Sequence, residues 1–133
     1  MQQLDRKRVR DYMSRNLVTF TPGTELFSAI HQLLKHRLSS ASVVDESGKL
    51  VGVLSEKDCL KVALLAGYEG VPAGLVEEFM TREAVTVDVD DNLLDIANRF
   101  IDSSFRRFPV TENGRLIGEI VRADILRAID DAY

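Results

Sequence analysis

Leu50-Val51-Gly52-Val53-Leu54-Ser55-Glu56-Lys57-Asp58 is the stretch that decides the fold. Its first five residues form an apolar run short enough for a strand and apolar enough to be covered on both faces. Ser55 then supplies a helix N-cap, and Glu56 and Asp58 suit the positive first turn of the helix that follows. That helix carries Cys59, Leu60, Val62, Ala63, Leu64 and Leu65 and is predicted to stop at Gly67. The same grammar returns, position 50 matching 116, as Leu116-Ile117-Gly118-Glu119-Ile120-Val121-Arg122-Ala123-Asp124.

Working outward from these two stretches, the repeat widens. Upstream of a one-residue slip in the turn, the offset is 67: Met13 matches Met80, Val18-Thr19 matches Val85-Thr86, and Val43 matches Val110. A period this long, occurring twice, is not a solenoid. In the first half, residues 17–20 read as extended and Thr21-Pro22-Gly23-Thr24 as a turn whose Thr24 hydroxyl caps a helix over residues 25–37. Leu26, Phe27, Ile30, Leu33 and Leu34 recur on one face of that helix. A strand at residues 41–44 and the polar turn Asp45-Glu46-Ser47-Gly48-Lys49 lead back to the opening stretch.

The second half repeats this order. It has an extended segment at residues 85–89, a cap at Asp90-Asp91-Asn92, a helix through Leu93, Ile96, Phe100 and Ile101, and a strand at residues 108–111. The turn Glu112-Asn113-Gly114-Arg115, a strand and a last helix over residues 122–132 follow. Residues 1–14 read as a helical lead-in with Leu4, Val9, Tyr12 and Met13 as its apolar side. A short helix bears Val76, Phe79 and Met80. The organisation is therefore a lead-in with a first motif (1–66), a linker containing Gly70, Pro72 and Gly74 (67–74), and a second motif (75–133). The expected fold is α/β (α+β): two β-α-β-β-α motifs related by a pseudo-twofold, sheets packed centrally and helices outside, because one small sheet alone cannot bury both faces.

Composition narrows the function classes. With 133 residues, 45% apolar, 29% charged and a net charge of −4, the chain reads as one globular domain or as two half-domains sharing a core. That balance argues against nucleic acid as a partner, since phosphate backbones select basic surfaces. The basic start at Arg6, Lys7, Arg8 and Arg10 reads as a solvated face, with a partner contact as the alternative. No apolar run is long enough to span a membrane, and no secretory signal opens the chain, so a cytoplasmic location is expected. Cys59, the one cysteine, reads as a structural thiol. His31 and His36 do not share a helical face and have no Cys partner, so no metal site is expected. No phosphate loop or nucleophile elbow occurs, and Ser39-Ser40 and Ser103-Ser104 lack an activating base, so no catalytic residue is expected.

Taken together, Met13-Ser14, Val18-Thr19, the turn at residues 45–48, Leu50 through Ser55 and Asp58 resemble a cystathionine-β-synthase (CBS) motif. Met80-Thr81, Val85-Thr86, Arg107-Phe108-Pro109-Val110, Asn113 through Gly118 and Asp124 resemble a second one. The chain resembles a free-standing CBS pair, or Bateman module, over residues 9–130. That resemblance implies a regulatory module binding AMP, ADP, ATP or S-adenosylmethionine in clefts between the motifs, with no required cofactor and no catalysis of its own. It also implies a homodimer, a disc of four motifs, that signals to a regulated protein the sequence does not name. The alternative is a dimerising interaction module that binds no nucleotide. Val121, Ser39-Ser40 and Ser42 favour it, because they depart from the family's pattern.

An adenosine ligand makes three chemical demands. Its ribose diol wants a carboxylate able to accept two hydrogen bonds. The resemblance places this at Asp58, in a full Ser55-x-x-Asp58 match, and at Asp124, where Val121 lacks the hydroxyl. Either Asp also has a purely structural reading as a helix-start residue worth about 0.3–1 kcal/mol. Phosphates want guanidinium groups, and the resemblance places phosphate-binding basic residues at Arg106 and Arg107, which also read as merely solvated arginines, with Lys57 and Arg122 as weaker candidates. Ser39 and Ser40 stand at the matching positions of the first half, so the two sites are not equivalent. Adenine wants an apolar slot with polar edges. The family's slots lie along Thr19, Phe20 and Thr21 and along Thr86, with small Ala41 leaving room and Pro109 shaping the backbone; Thr here is equally an ordinary strand former.

Overall fold

A computed structural model describes residues 4–69 and 74–133. Each half follows the same order, and together they make a mixed α+β fold with two three-stranded sheets. In the first sheet β1 (Thr19–Phe20) runs parallel to β2 (Ser40–Val44), and β2 runs antiparallel to β3 (Leu50–Ser55). Helix α1 (Leu26–Lys35) connects β1 to β2, α2 (Glu56–Glu69) follows β3, and α3 (Val76–Phe79) comes next. The second sheet repeats this order with β4 (Val87–Asp88), β5 (Arg107–Glu112) and β6 (Arg115–Val121), accompanied by α4 (Leu93–Ile101) and α5 (Arg122–Ala132). The β5–β6 hairpin closes on Asn113 and Gly114, whose φ values of 54° and 81° are those a tight two-residue hairpin turn requires.

The helices bury the faces that their periodicity marks. Leu26, Ala29 and Leu33 of α1 are buried, as are Leu93, Ile96 and Phe100 of α4. In β2 burial alternates, with Ala41 and Val43 inside and the serines on the other face. Each such large apolar side chain contributes about 1.5–3 kcal/mol on burial.

Three local expectations are corrected. Thr24 does not cap α1: its Oγ1 accepts from Thr21 N at 3.0 Å and is spent on the turn. The cap is Glu25, whose carboxylate accepts from Phe27 N at 3.0 Å and Ser28 N at 2.9 Å; these two N–H groups hold its pKa below the ordinary value. The lead-in is two short 3-10 turns, Leu4–Arg6 and Val9–Asp11, rather than a helix. Its backbone bonds elsewhere: Val9 N donates to Asp91 O and Arg10 N to Val89 O, both at 3.0 Å. Helix α2 runs past Gly67 to Glu69, since one helical glycine costs only about 1 kcal/mol. Of the expected linker, residues 70–73 lie outside the described residues.

The chain packs as two compact units that are cut differently from the sequence repeats. One comprises Val18–Ala84; the other comprises Met1–Leu17 with Val85–Tyr133. The lead segment of each repeat therefore belongs with the sheet of the other. Short antiparallel bridges tie Arg8 to Asn92 and Ser14 to Glu119 in one unit, and Glu25 to Leu75 and Val53 to Thr81 in the other. Val9 joins the core around Leu93 and Phe108, while Val76, Phe79 and Met80 join the core around Leu26 and Leu54.

Candidate functional site

In the Val18–Ala84 unit the end of β3 builds a small polar cradle. Asp58 and Ser55 cap each other: Ser55 N donates to Asp58 Oδ2 at 3.0 Å and Asp58 N donates to Ser55 Oγ at 3.1 Å. That reciprocal pair is a capping box. Glu56 N donates to Ser39 O at 2.9 Å, which draws the start of β2 to the same place. Thr81 then arrives from the strap after α3, exchanging N–H···O bonds of 2.9 Å with Val53, and its hydroxyl reaches Asp58 at 3.3 and 3.4 Å. Lys61 sits one turn on, with Nζ 3.7 Å from Asp58 Oδ1.

The other unit builds the same corner with different chemistry. Val121 N donates to Asp124 Oδ2 at 2.7 Å, but Val121 has no hydroxyl to return the bond. Ser14 takes the place of Thr81 and exchanges 2.9 Å backbone bonds with Glu119. Arg127, the counterpart of Lys61, pairs with Asp124 Oδ1. Among the described residues Asp58 and Asp124 are the two buried charged side chains, only 6% and 3% exposed. A buried carboxylate is costly unless hydrogen-bonded, and both are hydrogen-bonded.

Close approach of the two straps depends on glycine. A Cβ on Gly52 would lie 2.8 Å from Met80 Sδ and 2.9 Å from Thr81 O; one on Gly118 would lie 2.6 Å from Ser14 O. Met13-Ser14 and Met80-Thr81 thus lie against the one position in each sheet that carries no side chain.

Arg99, Arg106, Arg107 and Arg122 also belong to the Asp124 unit, and Arg107 and Phe108 point to opposite faces of its sheet. Arg122 Nη2 donates to Phe105 O at 3.1 Å, and Arg99 Nη1 donates to Thr86 O at 3.1 Å with its guanidinium 4.9 Å from the Phe108 ring. Arg107 pairs with Glu119 at 3.3 Å, and its buried Nε has no partner among the described residues. Arg106 is exposed.

Not every expected site residue joins these corners. Phe20 and Ala41 are buried in the hydrophobic core with Leu26 and Leu33, because strand alternation turns them inward. Thr21 lies at the opposite end of its sheet: β1 pairs Phe20 with Val43, whereas Ser40 pairs with Ser55 beside Asp58. Thr21 instead lines a surface hollow of about 750 Å³ with Pro22, Gly23, Asp45, Glu46 and Ser47. Thr19 pairs with Ser42, Thr86 lends its carbonyl to Arg99, and Pro109 is buried opposite Glu119. Lys57 is exposed on the first turn of α2. Sequence reading missed Thr81, Lys61, Arg127 and Arg99. The first three were signalled by their own repetition, since Thr81 matches Ser14 and Lys61 matches Arg127.

The model of the CBS domain matches the chain twice, at residues 9–65 and 76–131. The chain belongs to the CBS domain family. Its fold resembles that of CBSX2 in complex with AMP at 30% identity, covering 94% of this chain and 97% of that one with a TM-score of 0.79; CBSX2 is from Arabidopsis thaliana. It also resembles the CBS domain pair of protein MJ0100 in complex with 5'-methylthioadenosine and S-adenosyl-L-methionine, at 26% identity, 96% and 98% coverage and a TM-score of 0.74. Among sequences, protein MJ1225 of Methanocaldococcus jannaschii is 26% identical over 91% of this chain, which spans 42% of that protein. The chain also matches 14% of the A-adding tRNA nucleotidyltransferase of Aquifex aeolicus, at 28% identity over 93% of its own length. The chain thus spans less than half the length of these two relatives. In this CBS pair no described helix is long and apolar enough to cross a membrane.

Proposed function

We propose that this CBS pair is a sensor that binds an adenosine-containing ligand and signals to a partner through its dimer. The supporting observation is that a buried carboxylate, Asp58 or Asp124, recurs at the same corner of both units with hydrogen-bond donors gathered round it. A carboxylate offers about four lone-pair sites. At Asp58 the Ser55 amide and the Thr81 hydroxyl leave acceptor capacity for a ribose diol. Backbone groups beside Thr19 and Thr86 would meet the adenine, and Arg106 and Arg107 a phosphate. AMP with CBSX2 and 5'-methylthioadenosine and S-adenosylmethionine with MJ0100 support this ligand class. We place the protein in the cytoplasm; the half-buried thiol of Cys59, its pKa raised by burial and then by Asp58 and Glu56, is a weak nucleophile and fits a structural role.

Thermal melts against AMP, ADP, ATP, S-adenosylmethionine and 5'-methylthioadenosine test the reading. A ligand at ~100 times its Kd stabilises the protein by roughly 2.7 kcal/mol, raising Tm by several degrees. Asp58→Ala or Asp124→Ala should remove the shift of the ligand held there. Unchanged affinity in both variants, or no shift with any ligand at millimolar concentration, overturns the proposal.

The helices carry a second observation, which favours self-association. Ile101 and Leu126 are 79% and 65% exposed and line an apolar groove of about 540 Å³ between α4 and α5, beside Ala97 and Ile129. Leu34 and Leu60 stand exposed at the matching positions of α1 and α2. A second copy of the chain is the occupant the duplicated pattern supports. Ile101→Glu with Leu126→Glu should convert a dimer to a monomer in light scattering; a parent chain that is already monomeric at high concentration refutes this.

A further inference from the structure

We infer that the two units select different ligands: the Asp124 unit a nucleoside phosphate, the Asp58 unit an adenosine compound without phosphate. The inference rests on the adenosine reading above and goes beyond it by dividing the ligands between the sites. Strand register makes the comparison position by position. Arg107 pairs with Val121 in one sheet as Ser40 pairs with Ser55 in the other. Arg106 therefore answers to Ser39, Arg107 to Ser40, and Arg122 to Glu56. Arg99, 67 residues after Gln32, answers to that neutral amide.

The arginines are anchored without being used up. A guanidinium has five N–H donors in a fixed fork. Arg99 and Arg122 each spend one on a backbone carbonyl, at 3.1 Å, and so are held in place with donors to spare. Arg107 shares Nη1 with Glu119 and keeps a buried Nε with no partner among the described residues. Arg106 is exposed and makes no ion pair among the described residues. Held guanidiniums with free donors are what phosphate oxygens bind best.

The Asp58 corner offers the reverse. Hydroxyls replace the two strand arginines, and a carboxylate, Glu56, stands where Arg122 stands in the other unit. Its local cations are Lys57, Lys61 and Arg82; Lys61 is already drawn to Asp58 at 3.7 Å, and Arg82, beside Thr81, donates to Glu77 O at 3.4 Å. Without strand arginines, and with Glu56 at the helix start, this corner attracts a phosphate less than the other does, while the Asp58 carboxylate and the hydroxyls remain suited to a sugar.

Calorimetry with ATP and 5'-methylthioadenosine on the full chain tests the division. About one ATP per chain is expected. Arg106→Ser with Arg107→Ser, which copies the Asp58 unit, should lower the ratio of ATP affinity to 5'-methylthioadenosine affinity about tenfold or more. Added salt should lower the same ratio in the parent. The reciprocal Ser39→Arg with Ser40→Arg should raise ATP binding toward about two per chain. Arg106→Ser alone, at an exposed position, serves if the double variant does not fold. A ratio unchanged within about twofold in the arginine variants overturns the division but leaves the adenosine reading standing. Competition of the two ligands for one site does the same. Binding of neither ligand overturns both.

Discussion

Phe108→Ala is expected to lower stability by about 3–5 kcal/mol, the largest loss foreseen for any single side chain here. Phe108 is 1% exposed in the middle strand of its sheet. Its ring lies 4.7 Å from that of Phe100 and 5.5 Å from that of Phe105, both tilted, and Arg99 stacks on it at 4.9 Å. Removing the ring leaves a cavity beside Phe100 and Phe105 and deprives Arg99 of the ring it stacks on. The matching residue of the other repeat is already Ala41, buried among Leu26, Ala29 and Leu33. Alanine is therefore compatible with the strand itself; the loss in Phe108→Ala comes from neighbours shaped around a ring. The chain has no tryptophan, so urea unfolding followed by circular dichroism is the suitable readout. Phe108→Leu should lose less, because most of the volume is retained. A loss under about 1 kcal/mol for Phe108→Ala would mean that the core can close around the gap.

The same residue shows where sequence reading succeeds and where it stops. The strands, the Asn113-Gly114 turn, the apolar stripes of α1 and α4 and the Ser55–Asp58 cap were legible because each is a local pattern with a local cause. The family, too, followed from the order of those patterns occurring twice. The straps were not legible. Met13-Ser14 and Met80-Thr81 are too short to show a period, and what fixes them is a pair of hydrogen bonds to Glu119 or Val53, far away in sequence. Thr81 was consequently missed as a partner of Asp58. Phe20 and Ala41, expected along the adenine slot, lie in the core around Leu26 and Leu33. The alternation of Ser40, Ala41, Ser42 and Val43 already turns Ala41 inward. Thr24 against Glu25 was a contest between two competent caps, decided by the preceding turn, which claims the Thr24 hydroxyl.

Gly118→Ala and Gly52→Ala test those straps. The new methyl at position 118 would sit 2.6 Å from Ser14 O and 2.9 Å from Met13 Sδ. The thioether can swing aside, but Ser14 O is backbone and is bonded to Glu119 N at 2.9 Å. The strap must therefore lift, and overpacking of this kind costs about 1–3 kcal/mol. At position 52 the clash is with Met80 Sδ at 2.8 Å and Thr81 O at 2.9 Å, so a loss in the same range is expected. Gly23→Ala is the control: nothing lies within 4 Å of its Cβ, and a change within about 0.5 kcal/mol is expected. The two variants part company in function. Lifting the Thr81 strap withdraws a hydroxyl from Asp58, whereas Asp124 receives its second contact from Arg127 on its own helix. Gly52→Ala should therefore weaken a ligand bound at Asp58 by more than Gly118→Ala weakens one bound at Asp124. Equal losses of affinity would show that the straps act on both sites through backbone position alone.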